Sequence, residues 1–338
     1  MRVAVFNTKA YDRRFLTETN TRYGHALTFL EPRLDALTAT LAAGHEAVCV
    51  FVNDGVDAAV LEALAKVGVR LVALRCAGFN NVDLAAAERL GIAVVRVPAY
   101  SPHAVAEFTV GLLLAVDRAI PRAWSRVREN NFALDGLIGR NLHGRTVGVV
   151  GTGAIGALVA RALRAGFGCT VLASDLHPDP ELEAIGVRYV PREVLLRTAE
   201  IVTLHCPLTP DTHRLIDAQV IGEARDGLVI VNTSRGALID TAALIEGLKT
   251  RKVRAVALDV YEQEADLFFE DLSNEIIADD QFQRLLTFPN VLVTGHQAFL
   301  TEEALAAIAE TTLASISDFE ADRPLANRVD AALIAPAR

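Results

Sequence analysis

Thr146–Asp175 reads TVGVVGTGAIGALVARALRAGFGCTVLASD, and its interpretation decides the fold. Gly151, Gly153 and Gly156 stand in G-x-G-x-x-G spacing. Three features around them make this more than a chance match. An apolar run, Thr146–Val150, precedes the glycines, and Ile155, Leu158, Val159, Ala162 and Leu163 follow at helical spacing on one face. A second apolar run then ends on Asp175, about 20 residues past the loop, as a dinucleotide fingerprint requires.

Each part has a physical task. Gly151 permits the tight turn, Gly153 lets the backbone approach a pyrophosphate, and Gly156 lets helix and strand pack closely. The helix start at Ala154 and Ile155 offers amide donors and a positive dipole end to the phosphates. Asp175 can accept hydrogen bonds from the ribose hydroxyls and would repel a 2′-phosphate, and Leu176 rather than a cation follows it. The expected cofactor is therefore NAD, not NADP. The alternative is a glycine turn in a domain that binds no nucleotide.

Around this unit, short β-rich runs alternate with alanine-rich amphipathic stretches, the pattern of parallel sheets with crossover helices. Further strands are expected at Ile201–Leu204, Leu228–Val231, Arg254–Leu258 and Val291–Thr294, which makes six with the first two. An earlier series, Arg2–Phe6, Ala47–Phe51, Leu71–Arg75 and Ala93–Val97, forms a smaller α/β unit. Between the series lies YSPHAVAEFTVGLLLAVDRAI, with Ser101 as N-cap and Pro102 at the first helical position. This helix, Ser101–Ile120, is apolar nearly all round, so it is expected at a domain or subunit boundary. The tail from about Gln297 is expected to form one long helix that returns to the first unit. The expectation is thus two doubly wound α/β domains: residues 101–296 bind NAD, and residues 1–100 with 297–338 form a discontinuous domain.

The 338 residues, 51% of them hydrophobic, exceed what one core covers and can build two. A net charge of −9 argues against nonspecific nucleic-acid binding. Cys49, Cys76, Cys169 and Cys206 have no CxxC spacing and are read as reduced thiols. There is no signal-peptide pattern at the start and no run of about 20 apolar residues. A cytoplasmic protein without a membrane partner is expected.

In open parallel sheets, ligands bind at the carboxyl ends of the strands. The expected strands lead there into His205 of HCPLT, Arg235 of NTSRG, Asp259, Glu262 and Glu264 of LDVYEQE, and His296 of TGHQA. In the first unit, Leu71–Arg75 leads into CAGFNN. Hydride transfer to a carbonyl needs a cation to hold the substrate, a proton donor, and a group that keeps the donor protonated and aimed. Arg235 can fork onto a carboxylate, His296 exchanges protons near neutrality, and Glu264 can partner it. Other chemistry is poorly supported. HEAVC places Cys49 where a zinc motif needs its second histidine, so no metal is expected, and no G-x-S-x-G elbow occurs.

GTGAIG, HCPLT, NTSRGALID, DVYEQE and GHQAF together resemble the D-isomer-specific 2-hydroxyacid dehydrogenases. RCAGFNNVDL, VRVPAYSPHAVAEF, DLFFED and TGHQAFLTEEAL resemble the fermentative D-lactate group of that family, and the likeness covers almost the whole chain. The resemblance implies a Rossmann NAD domain, a flavodoxin-like split substrate domain and a cleft between them. It implies catalysis by Arg235, Glu264 and His296, with Glu264 rather than Glu262 as the carboxylate. It places the backbone of Ala77, Gly78 and Phe79 on the substrate carboxylate and Tyr100 in the substrate pocket. His205, Cys206, Pro207, Thr233 and Ser234 would line the cofactor, and Asp259 would meet the nicotinamide. Ala265 stands where relatives acting on glycerate, phosphoglycerate or formate carry proline. Phe299 stands where some lactate enzymes carry tyrosine.

The expected reaction is reduction of pyruvate to D-lactate by NADH in a homo-oligomer. The alternatives are another 2-oxo acid, such as glyoxylate, hydroxypyruvate or a branched-chain 2-ketoacid, or a nonenzymatic NAD-sensing corepressor.

Overall fold

The computed structural model describes residues 1–264 and 267–330; Ala265 lies outside the described residues. The chain divides into two compact units, Met1–Ser101 with the chain from Leu300 onward, and Pro102–Phe299.

The first unit is built on β1 (Arg2–Val5), β2 (Ala26–Phe29), β3 (Ala47–Val50), β4 (Leu71–Leu74) and β5 (Ala93–Val95). All pairings are parallel, in the order β2-β1-β3-β4-β5, the flavodoxin-like arrangement. Every residue of β3 and β4 is buried, which explains why these strands read as unbroken apolar runs. β2 was not expected: it is an edge strand of four residues, ALTF, none of them buried. The returning helix, Glu302–Glu320, starts later than Gln297 because Thr301 caps it by accepting a 3.2 Å hydrogen bond from the Ala304 amide. Its Ala309, Leu313 and Ile316 join Val3, Val5, Cys49 and Leu71 in one core. Past that helix, Val329 donates to the Val94 carbonyl and Arg328 bridges Val95 antiparallel, which covers the free edge of β5.

The second unit holds β6 (Thr146–Val150), β7 (Thr170–Ser174), β8 (Arg188–Tyr189), β9 (Ile201–Leu204), β10 (Leu228–Asn232), β11 (Val253–Leu258) and β12 (Val291–Val293). They form one parallel sheet in the order β12-β11-β10-β9-β6-β7-β8. This is seven strands rather than six, because β8 is only two residues long and has no periodicity to read. Strand order reverses between β6 and β9, the switch point where such sheets bind ligands.

The apolar helix runs from Pro102 only to Asp117. Ala119 adopts φ +50°, and a new helix, Ile120–Arg128, follows. The first helix belongs to this unit's core: Ala106, Leu112 and Leu113 pack with Val147, Val149, Val231 and Ala257. Its last residue, Asp117, is buried, pairs with Arg254 and accepts from the Arg140 amide. No helix among the described residues is long and apolar enough to cross a membrane.

Candidate active site

Past β6 the chain turns through Gly151 at φ +89°. A Cβ added to Gly156 would lie 1.9 Å from the Gly151 carbonyl oxygen, so the helix Ala154–Arg161 begins hard against the turn. A Cβ on Gly153 would meet nothing within 4 Å. The open room therefore lies at the helix start, where the Ala154 and Ile155 peptides begin, and it fits a diphosphate.

Asp175, just past β7, accepts from the Thr152 amide at 2.5 Å and the His177 amide at 2.9 Å. Partial burial pushes its carboxyl up, but the His177 and Thr152 amides outweigh that and hold it below the usual range. It is an anion with lone pairs to spare, suited to ribose hydroxyls. Tyr189 braces the turn by donating to the Thr152 hydroxyl at 2.8 Å. Leu176, beside it, is 92% exposed and supplies no cation for a 2′-phosphate.

After β9, the His205 amide donates to the Val150 carbonyl at 2.7 Å, which seats the HCP turn under the glycine loop. Loss of solvation lowers the His205 pKa to about 3, so the ring is neutral at physiological pH; its Nε2 lies 2.8 Å from the Thr203 hydroxyl. Cys206 is buried, and burial raises its thiol, which suits a wall better than a nucleophile. Pro207 is exposed beside it. Ser234 donates from its hydroxyl to the Cys206 carbonyl at 2.8 Å. The Thr233 hydroxyl is turned to Thr109, 2.7 Å away, and so ties β10 to the helix Pro102–Asp117.

The three residues expected to do chemistry sit beyond β10, β11 and β12 of this same sheet. His296 Nδ1 lies 2.8 Å from Glu264 Oε1, and the two side chains keep 20% and 24% of their exposure. The other Glu264 oxygen accepts from the Tyr261 amide at 2.9 Å, so the carboxylate is held from both sides. His296 adopts φ +53°, a left-handed conformation that costs a residue with a Cβ about 1 kcal/mol or more and marks a constrained position.

Asp259 holds the turn around His296 in place. It is fully buried, and its two oxygens accept from the Thr294 hydroxyl at 2.5 Å and the Gln297 and Ala298 amides at 2.9 and 2.8 Å. Its backbone carbonyl accepts from the His296 amide at 2.8 Å. Burial raises the Asp259 carboxyl against the lowering effect of these donors. Its side chain thus braces the turn that carries His296.

Glu262 and Glu264 have separate fates. Glu262 accepts from Arg214 Nε and Nη2 at 3.0 and 2.9 Å and from the Thr241 hydroxyl at 3.0 Å. Its charge is absorbed away from His296. Arg235 follows β10 half-buried, its Nη1 donating to the Ser234 carbonyl at 2.7 Å. Asn232 fixes this loop: its Nδ2 donates to the Arg235 carbonyl at 2.8 Å and its Oδ1 accepts from the Ser234 amide at 3.0 Å.

Sequence reasoning missed Asn232 and Gly236. A Cβ on Gly236 would lie 2.0 Å from the Tyr261 carbonyl group, so this glycine lets the Arg235 loop pack on the backbone leading to Glu264. A glycine directly after the arginine was visible, but the loop segment past β11 that presses on it was not.

In the other unit, Ala77, Gly78 and Phe79 follow β4 and are half-buried. Cys76 Sγ donates to the Gly78 carbonyl at 3.2 Å. Tyr100 is half-buried near the end of that unit, and Phe299, in the second unit, is 7% exposed.

Comparison with known proteins gives a consistent result. Residues 110–298 match the family described as D-isomer specific 2-hydroxyacid dehydrogenase, NAD binding domain. A 2-hydroxyacid dehydrogenase homolog of Schizosaccharomyces pombe is 54% identical over 319 residues, 94% of this chain and 96% of that protein. The D-lactate dehydrogenase of Escherichia coli is 50% identical over 320 residues, 95% of this chain and 97% of that one. Among solved structures, the pyruvate reductase of Chlamydomonas reinhardtii superposes with a TM-score of 0.92 at 47% identity, covering 97% of this chain and 98% of its own.

Proposed function

Because the chain belongs to the D-isomer-specific 2-hydroxyacid dehydrogenases, NAD-dependent enzymes of 2-hydroxyacid chemistry, we propose that it reduces pyruvate to D-lactate with NADH. The observation that carries this reading is the 2.8 Å His296–Glu264 pair at the carboxyl edge of the sheet that bears the nucleotide loop. The relatives named for D-lactate and pyruvate favour that substrate over other 2-oxo acids.

NADH, when bound, supplies the hydride that reaches the carbonyl carbon. Gly151, Gly153, Gly156 and the helix start at Ala154 and Ile155 hold its diphosphate, and Asp175 takes the ribose. His205, Cys206, Pro207, Thr233 and Ser234 shape the wall beside it. Arg235 binds the substrate carboxylate and polarises the adjacent carbonyl. Glu264 occupies Nδ1 of His296, which leaves Nε2 to give a proton to the developing alkoxide. The backbone at Ala77, Gly78 and Phe79 is assigned to the substrate carboxylate, and Tyr100 and Phe299 to the substrate side chain. In the reverse direction His296 takes the hydroxyl proton.

The test is NADH oxidation against pyruvate, glyoxylate, hydroxypyruvate and branched-chain 2-ketoacids, with chiral analysis of the product. Preference for pyruvate and D-lactate as product supports the reading. Preference for another acid moves the substrate within the family, and no turnover with any of them returns the chain to a nonenzymatic NAD sensor. The same assay with NADPH reads Asp175, since a clear NADPH advantage contradicts its assignment. A cytoplasmic homo-oligomer is part of the proposal: Trp124, Val127, Phe132, Leu134 and Ile138 stand 53–89% exposed on neighbouring stretches of chain. A monomer by light scattering removes that part.

A further inference from the structure

We infer that Arg96 is a positioning residue for the substrate carboxylate, acting through the peptide planes of the loop after β4. Nothing in the motif reading singled it out. It follows β5, and its Nη1 donates to the Ala77 carbonyl at 2.9 Å. The same guanidinium lies over the Phe79 ring, 5.0 Å from its centroid. One side chain therefore grips two members of a three-residue loop.

The backbone of Arg96 is itself held from both sides. Its amide donates to the Asn327 carbonyl at 3.1 Å, and the next amide, Val97, donates to the Cys76 carbonyl at 3.1 Å. The clamp thus rests on the covered edge of β5 and reaches the start of the loop that it grips.

The consequence follows from peptide geometry. A trans peptide is planar, with its carbonyl and N–H pointing in opposite directions. Arg96 takes the Ala77 carbonyl, so the Gly78 N–H must point away from Arg96. Cys76 Sγ takes the Gly78 carbonyl in the same way, which sets the Phe79 N–H. Two consecutive N–H groups are then fixed at the carboxyl end of an interior strand of a parallel sheet, where ligands bind. Holding donors in place before the substrate arrives lowers the ordering cost of binding. The cation–π contact on Phe79 restrains the ring that follows them.

This inference rests on the proposed 2-oxo acid reductase reading, and its test separates the two. The variants are Arg96→Met, which removes the donor and the charge, and Arg96→Lys, which can still reach the carbonyl but loses the planar stack. For Arg96→Met we expect the KM for pyruvate to rise about 10-fold or more, with kcat within about 3-fold, the KM for NADH unchanged and Tm unchanged. Arg96→Lys should recover part of the KM.

Hydrogen exchange supplies a readout independent of turnover: amides within residues 77–82 should exchange faster in Arg96→Met, while those of the second unit keep their protection. If the wild-type chain turns over no 2-oxo acid, the functional reading falls, and faster exchange at 77–82 still upholds the clamp. If wild type is active while Arg96→Met keeps both its KM and its exchange, the inference is overturned. A KM rise accompanied by loss of Tm and of NADH affinity overturns it as well, since that is the mark of general unfolding.

Discussion

Each of the two parallel sheets carries a basic side chain paired with a carboxylate near the carboxyl ends of its strands, and the two pairs are finished differently. In the five-stranded unit Arg75 follows β4 and pairs with Asp12 at 3.1 Å, with side chains only 1% and 9% exposed. In the seven-stranded unit His296 pairs with Glu264 at 2.8 Å, with both side chains about a fifth open. The sealed pair is wired into the scaffold. Arg75 also donates to the Asn7 carbonyl at 2.8 Å and lies over the Phe51 ring, while Asp12 accepts from the Lys9 amide at the start of its helix. Burial alone would favour the neutral guanidine, yet Asp12 beside it holds Arg75 more firmly protonated than usual. In the proposed mechanism the open pair ends on a ring whose second nitrogen is left for a substrate. On that reading, similar sheet ends serve as a fastening in one unit and as a reaction site in the other, and solvent access separates the roles.

That contrast can be broken in four ways. The largest effect should come from His296→Gln, which removes the proton donor: kcat should fall about 10³-fold with Tm unchanged, measured by steady-state kinetics and thermal melts. An intact rate would overturn the mechanism. Asp12→Ala should do the opposite, costing about 3–5 kcal/mol in urea unfolding because a buried charge loses its partner. Its kcat/KM per folded molecule should hold, and a loss of rate without a loss of stability would mean that the sealed pair also serves chemistry.

Gly236→Ala should lower kcat/KM about 10²-fold by forcing apart the loops that carry Arg235 and Glu264, with pyruvate and NADH assayed as for wild type. The smallest effect is a pH slope. An unfolded histidine takes a proton near pH 6.5, whereas folded His205 resists until about 3, so stability falls as pH drops through that window and is unaffected above it. His205→Gln should flatten the decline of Tm between those values, and an unchanged decline would place its origin in other groups.

The units differ also in how plainly they could be read from the amino acids. β6, β7 and β9 match their expected ranges, because buried parallel strands are continuous apolar runs bounded by turn residues. β2 and β8 escaped because an edge strand and a two-residue strand have too little burial to impose a pattern. The break at Ala119 escaped because a left-handed alanine leaves no mark on composition. At the site, Arg235, Glu264 and His296 were legible as reactive types following strands of one sheet. The supports were not: Asn232, Gly236 and Arg96 act through backbone contacts with segments distant in the chain.

The Asp259 bracket has a consequence for how the protein comes into being. During synthesis Asp259 emerges before Thr294, Gln297 and Ala298, the donors that its buried carboxylate will need. Until β12 docks beside β11, that carboxylate has no reason to leave water, and the turn bearing His296 has nothing to bend around. His296 therefore takes the left-handed posture seen in the fold only when the last strand of the sheet is in place.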